Sequence, residues 1–153
     1  MKIGVISDTH NYFDPNLVDL FADVSHILHA GDVGNTSIIH ELEAIAPVTA
    51  VYGNTDMNLP FKETEVMELA ARKFLIHHIV NPFAPAERLK DFIARERPDV
   101  VVFGHTHKQF YETVGGIRFF NPGYAGRPKF NTERSAAILH CGEKEIRAEF
   151  LPL

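Results

Sequence analysis

The amino-acid sequence predicts an α/β fold in which two β-sheets pack face to face and helices flank them. Three observations lead there. The first third alternates β-branched apolar runs with stretches of helical periodicity, a βαβαβ order that requires parallel strands and right-handed crossovers. The second half is dominated by short alternating strands separated by glycine turns, the pattern of antiparallel pairing. The 153 residues, 45% hydrophobic and 23% charged, have the composition of a chain with one ordinary core. Residues 1–153 therefore read as a single domain, without internal repeat, linker or low-complexity segment.

Each element follows from local pattern. Residues 3–7 are apolar and rich in β-branched side chains, a buried first strand. Residues 15–23 place Leu17, Leu20, Phe21 and Val24 at helical spacing, with Pro15 suited to a first turn. A second strand covers 26–30. Asn35 or Thr36 is positioned to cap a helix running to Ala44, whose stripe is Ile38, Ile39, Leu42 and Ile45. A third strand covers 48–52. Runs 63–69 and 72–78 have little between them and read as a hairpin. A helix over 85–95 puts Leu89, Phe92 and Ile93 on one face, and 100–103 is a wholly apolar central strand. Strands follow at 108–114, 117–120, 135–141 and 145–151, with Gly115-Gly116 and Gly142 at turns.

Bulk properties narrow the class. No apolar run approaches the roughly 18 residues needed to span a bilayer, so no membrane partner is expected. The start of the chain flows directly into the first strand and is too short for a secretory signal. Cys141 is the only cysteine, which favours a reducing cytoplasm. A formal net charge of −5 argues against coating extended nucleic acid, which is bound through excess Lys and Arg. It does not argue against a phosphate substrate, because bound cations invert the charge of an acidic pocket.

Function is written in the endings of the strands. Five apolar runs close on residues able to bind a metal: Asp8 and His10, Asp32, Asn54, the pair His77-His78, and His105 with His107. Each ending alone has an ordinary explanation as a cap, a turn or an exposed loop. Ligands in open α/β sheets gather outside the carboxyl ends of the strands, so five such endings point to one rim. The donors are oxygen and imidazole nitrogen without a thiol, which suits two divalent transition-metal ions, and a metal pair suits phosphate ester chemistry. Asp32, between the strands carrying Asp8 and Asn54, is the natural bridge. Strand alternation groups His78 with Phe74 and Ile76, and His77 with Leu75. Gly31, Gly53 and Gly104 each precede a proposed ligand and allow backbone to turn beside the ions. His26, His29, His40 and His140 read as structural.

The series Asp8-Thr9-His10, Gly31-Asp32, Gly53-Asn54-Thr55-Asp56, a strand-end histidine and Gly104-His105-Thr106-His107 resembles the motif series of the calcineurin-like metallophosphoesterases. Short length and Asn121-Pro122-Gly123 resemble the small prokaryotic phosphodiesterase group within it. The resemblance runs from the first strand to about Arg127. It implies a four-layer α/β/β/α sandwich and a dinuclear site, with manganese as the expected metal and iron, zinc, cobalt or nickel as alternatives. Asp8, His10, Asp32 and His107 would hold one ion, and Asp32, Asn54, His78 and His105 the other. Asp32, Asn54 and His105 would act catalytically, through a metal-bridged hydroxide and by binding phosphate.

The chain departs from that pattern in three places. His78 is followed by Ile79 and Val80, where relatives carry glycine and often a second histidine. Thr55 stands where many relatives have a histidine that assists the leaving group. Tyr124 stands where a serine is common. The expected reaction is hydrolysis of a small phosphate ester, a diester above all. The alternative is a scaffold for protein contacts, the use to which retromer's phosphoesterase-fold subunit puts a similar architecture. The loop residues Tyr12, Phe13, Phe61 and Phe83 are candidates to stack a nucleoside base or to join copies of a homo-oligomer.

Overall fold

All ten strand runs form strands in the computed structural model, which describes residues 1–153. In chain order the elements are β1 (Lys2–Ile6), α1 (Leu17–Leu20), β2 (His26–His29), α2 (Thr36–Glu43), β3 (Val48–Ala50), β4 (Thr64–Leu69), β5 (Arg72–His77), α3 (Glu87–Glu96), β6 (Val100–Val102), β7 (Gln109–Val114), β8 (Ile117–Pro122), β9 (Ser135–Cys141) and β10 (Ile146–Pro152). One sheet has the order β10-β9-β1-β2-β3 and the other β4-β5-β6-β8-β7.

Both sheets are mixed, which refines the expected division into a parallel first half and an antiparallel second half. β1, β2 and β3 are parallel, and β9 and β10 extend that sheet antiparallel. In the second sheet β5, β6 and β8 are parallel, with β4 and β7 antiparallel at its edges. The reason is that the β7–β8 hairpin returns its second strand, not its first, to the side of β6. Six parallel strands thus end on a common rim, three in each sheet.

Side-chain alternation makes the layers. Ile3, Val5, Leu28, Phe74, Val100, Val102 and Phe120 meet between the sheets in one buried cluster. Ile6, Ile27 and Ile138 face outward from the first sheet onto Leu17 and Phe21 of the α1 region and Ile38, Ile39 and Leu42 of α2. Leu75, Val101 and Phe119 face outward from the second sheet onto Leu89 and Ile93 of α3. The order is α/β/β/α. β6 reads as a continuous apolar run because it is buried on both faces.

Local chemistry sets the helix limits. Asn35 caps α2, its side-chain oxygen accepting from Ser37 N at 2.9 Å. The helix expected over 15–23 is only four residues long. Its flanks close through tighter i to i+3 bonds, such as Leu17 N to Asp14 O (3.1 Å) and Val24 N to Phe21 O (3.1 Å). Leu17, Phe21 and Val24 are still buried.

The β4–β5 hairpin turns on Ala70 and Ala71, both left-handed at φ 51° and 55°. Two-residue turns of this kind favour Asn-Gly, because a Cβ at positive φ costs about 1–2 kcal/mol per residue. Replacing Ala70-Ala71 by Asn-Gly is expected to stabilise the protein by about 1 kcal/mol. Urea unfolding that shows no rise in midpoint at constant m-value would refute this.

Candidate metal centre

The loops leaving β1, β2 and β6 are held in tight, unusual conformations. Asp8, His10, Asp32, His105 and His107 all have left-handed backbone, with φ of 57°, 45°, 54°, 68° and 60°. Such conformations cost roughly 1–3 kcal/mol each and collect at functional sites; Asp and His tolerate them better than most residues. Backbone bonds hold them: Asp8 N to Gly31 O (3.0 Å), His10 N to Asp32 O (3.0 Å) and Asn11 N to Val33 O (2.8 Å) stitch the loop after β1 to the loop after β2. Two glycines permit the close approach. A Cβ on Gly53 would overlap the backbone nitrogen and carboxylate of Asp32, and one on Gly104 would overlap the Ser7 hydroxyl.

Each carboxylate has one oxygen occupied and one free. Asp8 Oδ2 accepts from Ser7 Oγ (2.7 Å) and His105 N (3.0 Å). Its Oδ1 is buried, has no hydrogen-bond partner, and lies 3.2 Å from His107 Nε2 and 3.8 Å from both His10 Nε2 and His78 Nε2. Asp32 Oδ1 accepts from Thr55 N (2.9 Å), while Oδ2 lies 3.2 Å from His78 Nε2 and 3.8 Å from His10 Nε2. His78 Nδ1 donates to the Ala30 carbonyl at 2.7 Å, and this fixes the tautomer that turns Nε2 to the centre.

Asp8, His10 and His107 form one three-ligand group; Asp8, Asp32 and His78 form another. Asp8 is common to both groups, whereas Asp32 belongs to the second and lies 3.8 Å from His10 Nε2 of the first. Asn54 and His105 stand beside them as an exposed pair, Nδ1 to Oδ1 at 3.0 Å. His77 is turned away and bonds Thr64 Oγ1 at 2.8 Å.

Asp8 Oδ1, His10 Nε2 and His78 Nε2 are buried and unpartnered. Burying such atoms without a partner is costly. They converge, and their nitrogen and oxygen donors suit a divalent transition metal. A metal therefore fits the residues present.

Three supporting residues are invisible as ligands in the sequence. Asp56 accepts from the backbone nitrogens of Val33 (3.1 Å), Gly34 (2.9 Å) and Gly53 (2.9 Å), clamping the Asn54 loop to the Asp32 loop. Asn121, at the end of β8, donates to Gly104 O (2.9 Å) and Thr106 Oγ1 (3.1 Å), which fixes the loop carrying His105 and His107. Tyr124 is fully buried and packs its ring 4.7 Å from that of His107. The signal for the first two was a short polar side chain beside a glycine turn. The serine replaced by Tyr124 marked the third.

His29 is structural: its Nδ1 accepts from Gly31 N (3.2 Å), and its Nε2 donates to Thr9 Oγ1 (2.9 Å), which itself donates to Val33 O. Burial, with the nearby His78 second, pushes it down to about 3, so it stays neutral. Burial would raise Asp32, but contact with His78 and the Thr55 amide outweighs it and holds the carboxyl below its ordinary range. Burial would lower His78, but Asp32, Asp8 and the Ala30 carbonyl raise it above 6.5. The raised His78 pKa adds stability to the metal-free protein that is complete below about 6.5 and is lost as pH rises through the raised value. The depressed Asp32 pKa adds stability above the ordinary carboxylate range that is lost as pH falls through the depressed value.

Comparison with known proteins is consistent along the whole chain. Residues 1–144 match the family model described as the calcineurin-like phosphoesterase superfamily domain. A probable metallophosphoesterase of Methanocaldococcus jannaschii is 39% identical, with 100% of this chain and 82% of the relative aligned. An archaeal phosphodiesterase of known structure superposes with a TM-score of 0.78 at 29% identity, over 99% of this chain and 100% of that one. Vps29 of Entamoeba histolytica in complex with zinc gives 0.76 at 24% identity, over 99% of both chains, a likeness of fold.

A metal ligand must be an unprotonated imidazole. Manganese uptake by the metal-free protein is therefore expected to release protons, and affinity to rise with pH through the His78 titration. Calorimetry in buffers of different ionisation enthalpy measures the release. A pH-independent affinity between pH 6 and 8 would contradict the His78 assignment.

Proposed function

This chain belongs to the calcineurin-like phosphoesterase superfamily, and from that premise we propose that it is a phosphodiesterase working through a dinuclear manganese site. The family establishes the coarser statement, a metal-dependent phosphoric ester hydrolase. The observation that carries the finer one is the convergence of three buried, unpartnered donor atoms, on Asp8, His10 and His78, from both sheets. Asp8, His10, Asp32 and His107 would hold one ion and Asp32, Asn54, His78 and His105 the other, with Asp32 shared. Bound there, the ions would supply Lewis acidity toward phosphoryl oxygens and lower the pKa of a coordinated water.

The protein's own part is orientation. Ser7 and the His105 amide bind one oxygen of Asp8 and direct the other inward. The Thr55 amide does the same for Asp32. The Ser7 hydroxyl is fully buried and donated to Asp8, so it is not presented to substrate as a nucleophile. Asn54 and His105 are exposed on the open side, where they would meet substrate phosphate. The Thr55 hydroxyl is too weak an acid to protonate a poor leaving group.

The substrate is a small phosphate ester. No helix is long and apolar enough to cross a membrane, and a reducing cytoplasm is the compartment we infer from the single, buried and unpaired Cys141. A protein-binding scaffold on the same fold is the alternative. It gives no account of the unpartnered donor atoms.

General acid catalysis is typically worth about 10²–10⁴-fold. With manganese added, kcat/KM for bis(p-nitrophenyl) phosphate is expected to exceed that for alkyl monoesters by about 100-fold. A monoester preference in that assay would sink the diesterase reading. Asp32→Asn is expected to keep the fold, lose bound metal and abolish turnover. Two ions per chain retained in the variant, by elemental analysis, would rule out Asp32 as the bridge.

A further inference from the structure

The fold separates the four aromatic loop residues that stand near the site. Phe13 and Phe61 pack against the outer layer of the first sheet. The guanidinium groups of Arg127 and Arg134 lie 5.3 and 5.4 Å from the ring of Tyr12. Phe83 stays open to solvent, 69% exposed. Its ring meets Phe110 edge to face at 6.2 Å, and Phe110 meets Phe103 at 5.8 Å. With Ile79, Val80 and His105, these rings line a cleft of about 520 Å³. Ile79 also lines a smaller cleft of about 240 Å³ with Asn54 and His78. The apolar space therefore adjoins the ligand-lined space, with Ile79 common to both and His105 at the apolar wall.

We propose that the cleft beside His105 is the subsite for the ester group that stays on phosphorus, an aryl ring or a nucleobase; this rests on the phosphodiesterase reading. A phosphate held at Asn54 and His105 places one ester arm over His105, where the neighbouring surface is aromatic and water is poorly used. The cleft is of the size and character of a small-molecule site, apolar with few polar groups. Asn81, Thr106, Lys108 and Gln109 also line it, and Asn81 accepts from Phe83 N through Oδ1 (3.1 Å), which leaves its amide nitrogen free to donate. Ile79 and Val80 are the residues that replace the glycine and histidine of relatives, so the departure from the motif is what makes this wall apolar. Stacking of a base on an open aromatic ring is typically worth about ten- to a hundred-fold in affinity.

The test uses the manganese-loaded full chain and diesters sharing one leaving group: p-nitrophenyl esters of methyl, phenyl and thymidine 5′-phosphate. Expected are kcat/KM values about tenfold higher for the phenyl and thymidine esters than for the methyl ester. Phe83→Ala should remove that advantage and leave the methyl ester unchanged, and Phe83→Tyr should restore it. A larger gain for thymidine than for phenyl assigns the subsite to a nucleobase; the reverse assigns it to a plain aryl ring. Equal values for all three esters in the wild type, or an equal loss on all three in Phe83→Ala, overturns the subsite and leaves the phosphodiesterase reading standing. Absence of turnover of all three esters overturns that reading instead. Calorimetric binding of phenylphosphonate against methylphosphonate then reads the subsite without turnover: about tenfold tighter phenyl binding, lost in Phe83→Ala, supports it, and equal binding overturns it. A dimer that Phe83→Ala dissociates, with ester discrimination unchanged, reassigns the cleft to a contact between copies and overturns the proposal.

Discussion

The carboxylate of Asp8 is the point on which the rest of the site depends. It leaves β1 in a left-handed turn, and its Oδ2 takes the amide of His105 from the opposite sheet. Remove that acceptor and the loop after β6 loses the bond that holds it against the loop after β1. A second tie between the sheets, His78 Nδ1 to Ala30 O, is fully buried. These hydrogen bonds set the donor atoms of the second sheet against those of the first. Burial strengthens the His78 bond, because water does not compete with it.

The fold was legible because its layers impose simple periodicities. Val100, Val101 and Val102 are apolar because β6 faces a sheet on one side and a helix on the other. The same alternation separates His78 from His77. The candidate ligands could be grouped from the sequence because ligands in such sheets gather where parallel strands end. What could not be read was loop approach. Asp56 looked like an ordinary turn residue, since its three backbone partners come from two loops that sequence does not bring together. The parallel pairing of β6 with β8 was hidden for a similar reason: a hairpin signal says which strands are joined, not which of them lies inside.

Exposure divides along the rim. The side holding Asp8, Asp32 and His78 is buried and fixed by many bonds. The side holding Asn54 and His105 is open, and the aromatic cleft opens beside it. Chemistry that must not move is placed on the first, and recognition of a variable ester group on the second. Thr55 and Ile79, both departures from the related motif, lie at this boundary.

The unpartnered donor atoms have a consequence outside catalysis. Ligand that binds only the native state stabilises it by RT ln(1 + [L]/Kd), about 2.7 kcal/mol at a hundredfold excess over Kd. A chain that carries Asp8 Oδ1, His10 Nε2 and His78 Nε2 without partners opens more often than the same chain with ions bound. In a cell starved of metal, proteases would clear it faster than they clear the loaded form. Its abundance would then follow metal supply with no change in transcription, making the protein's own turnover a gauge of the ion it uses.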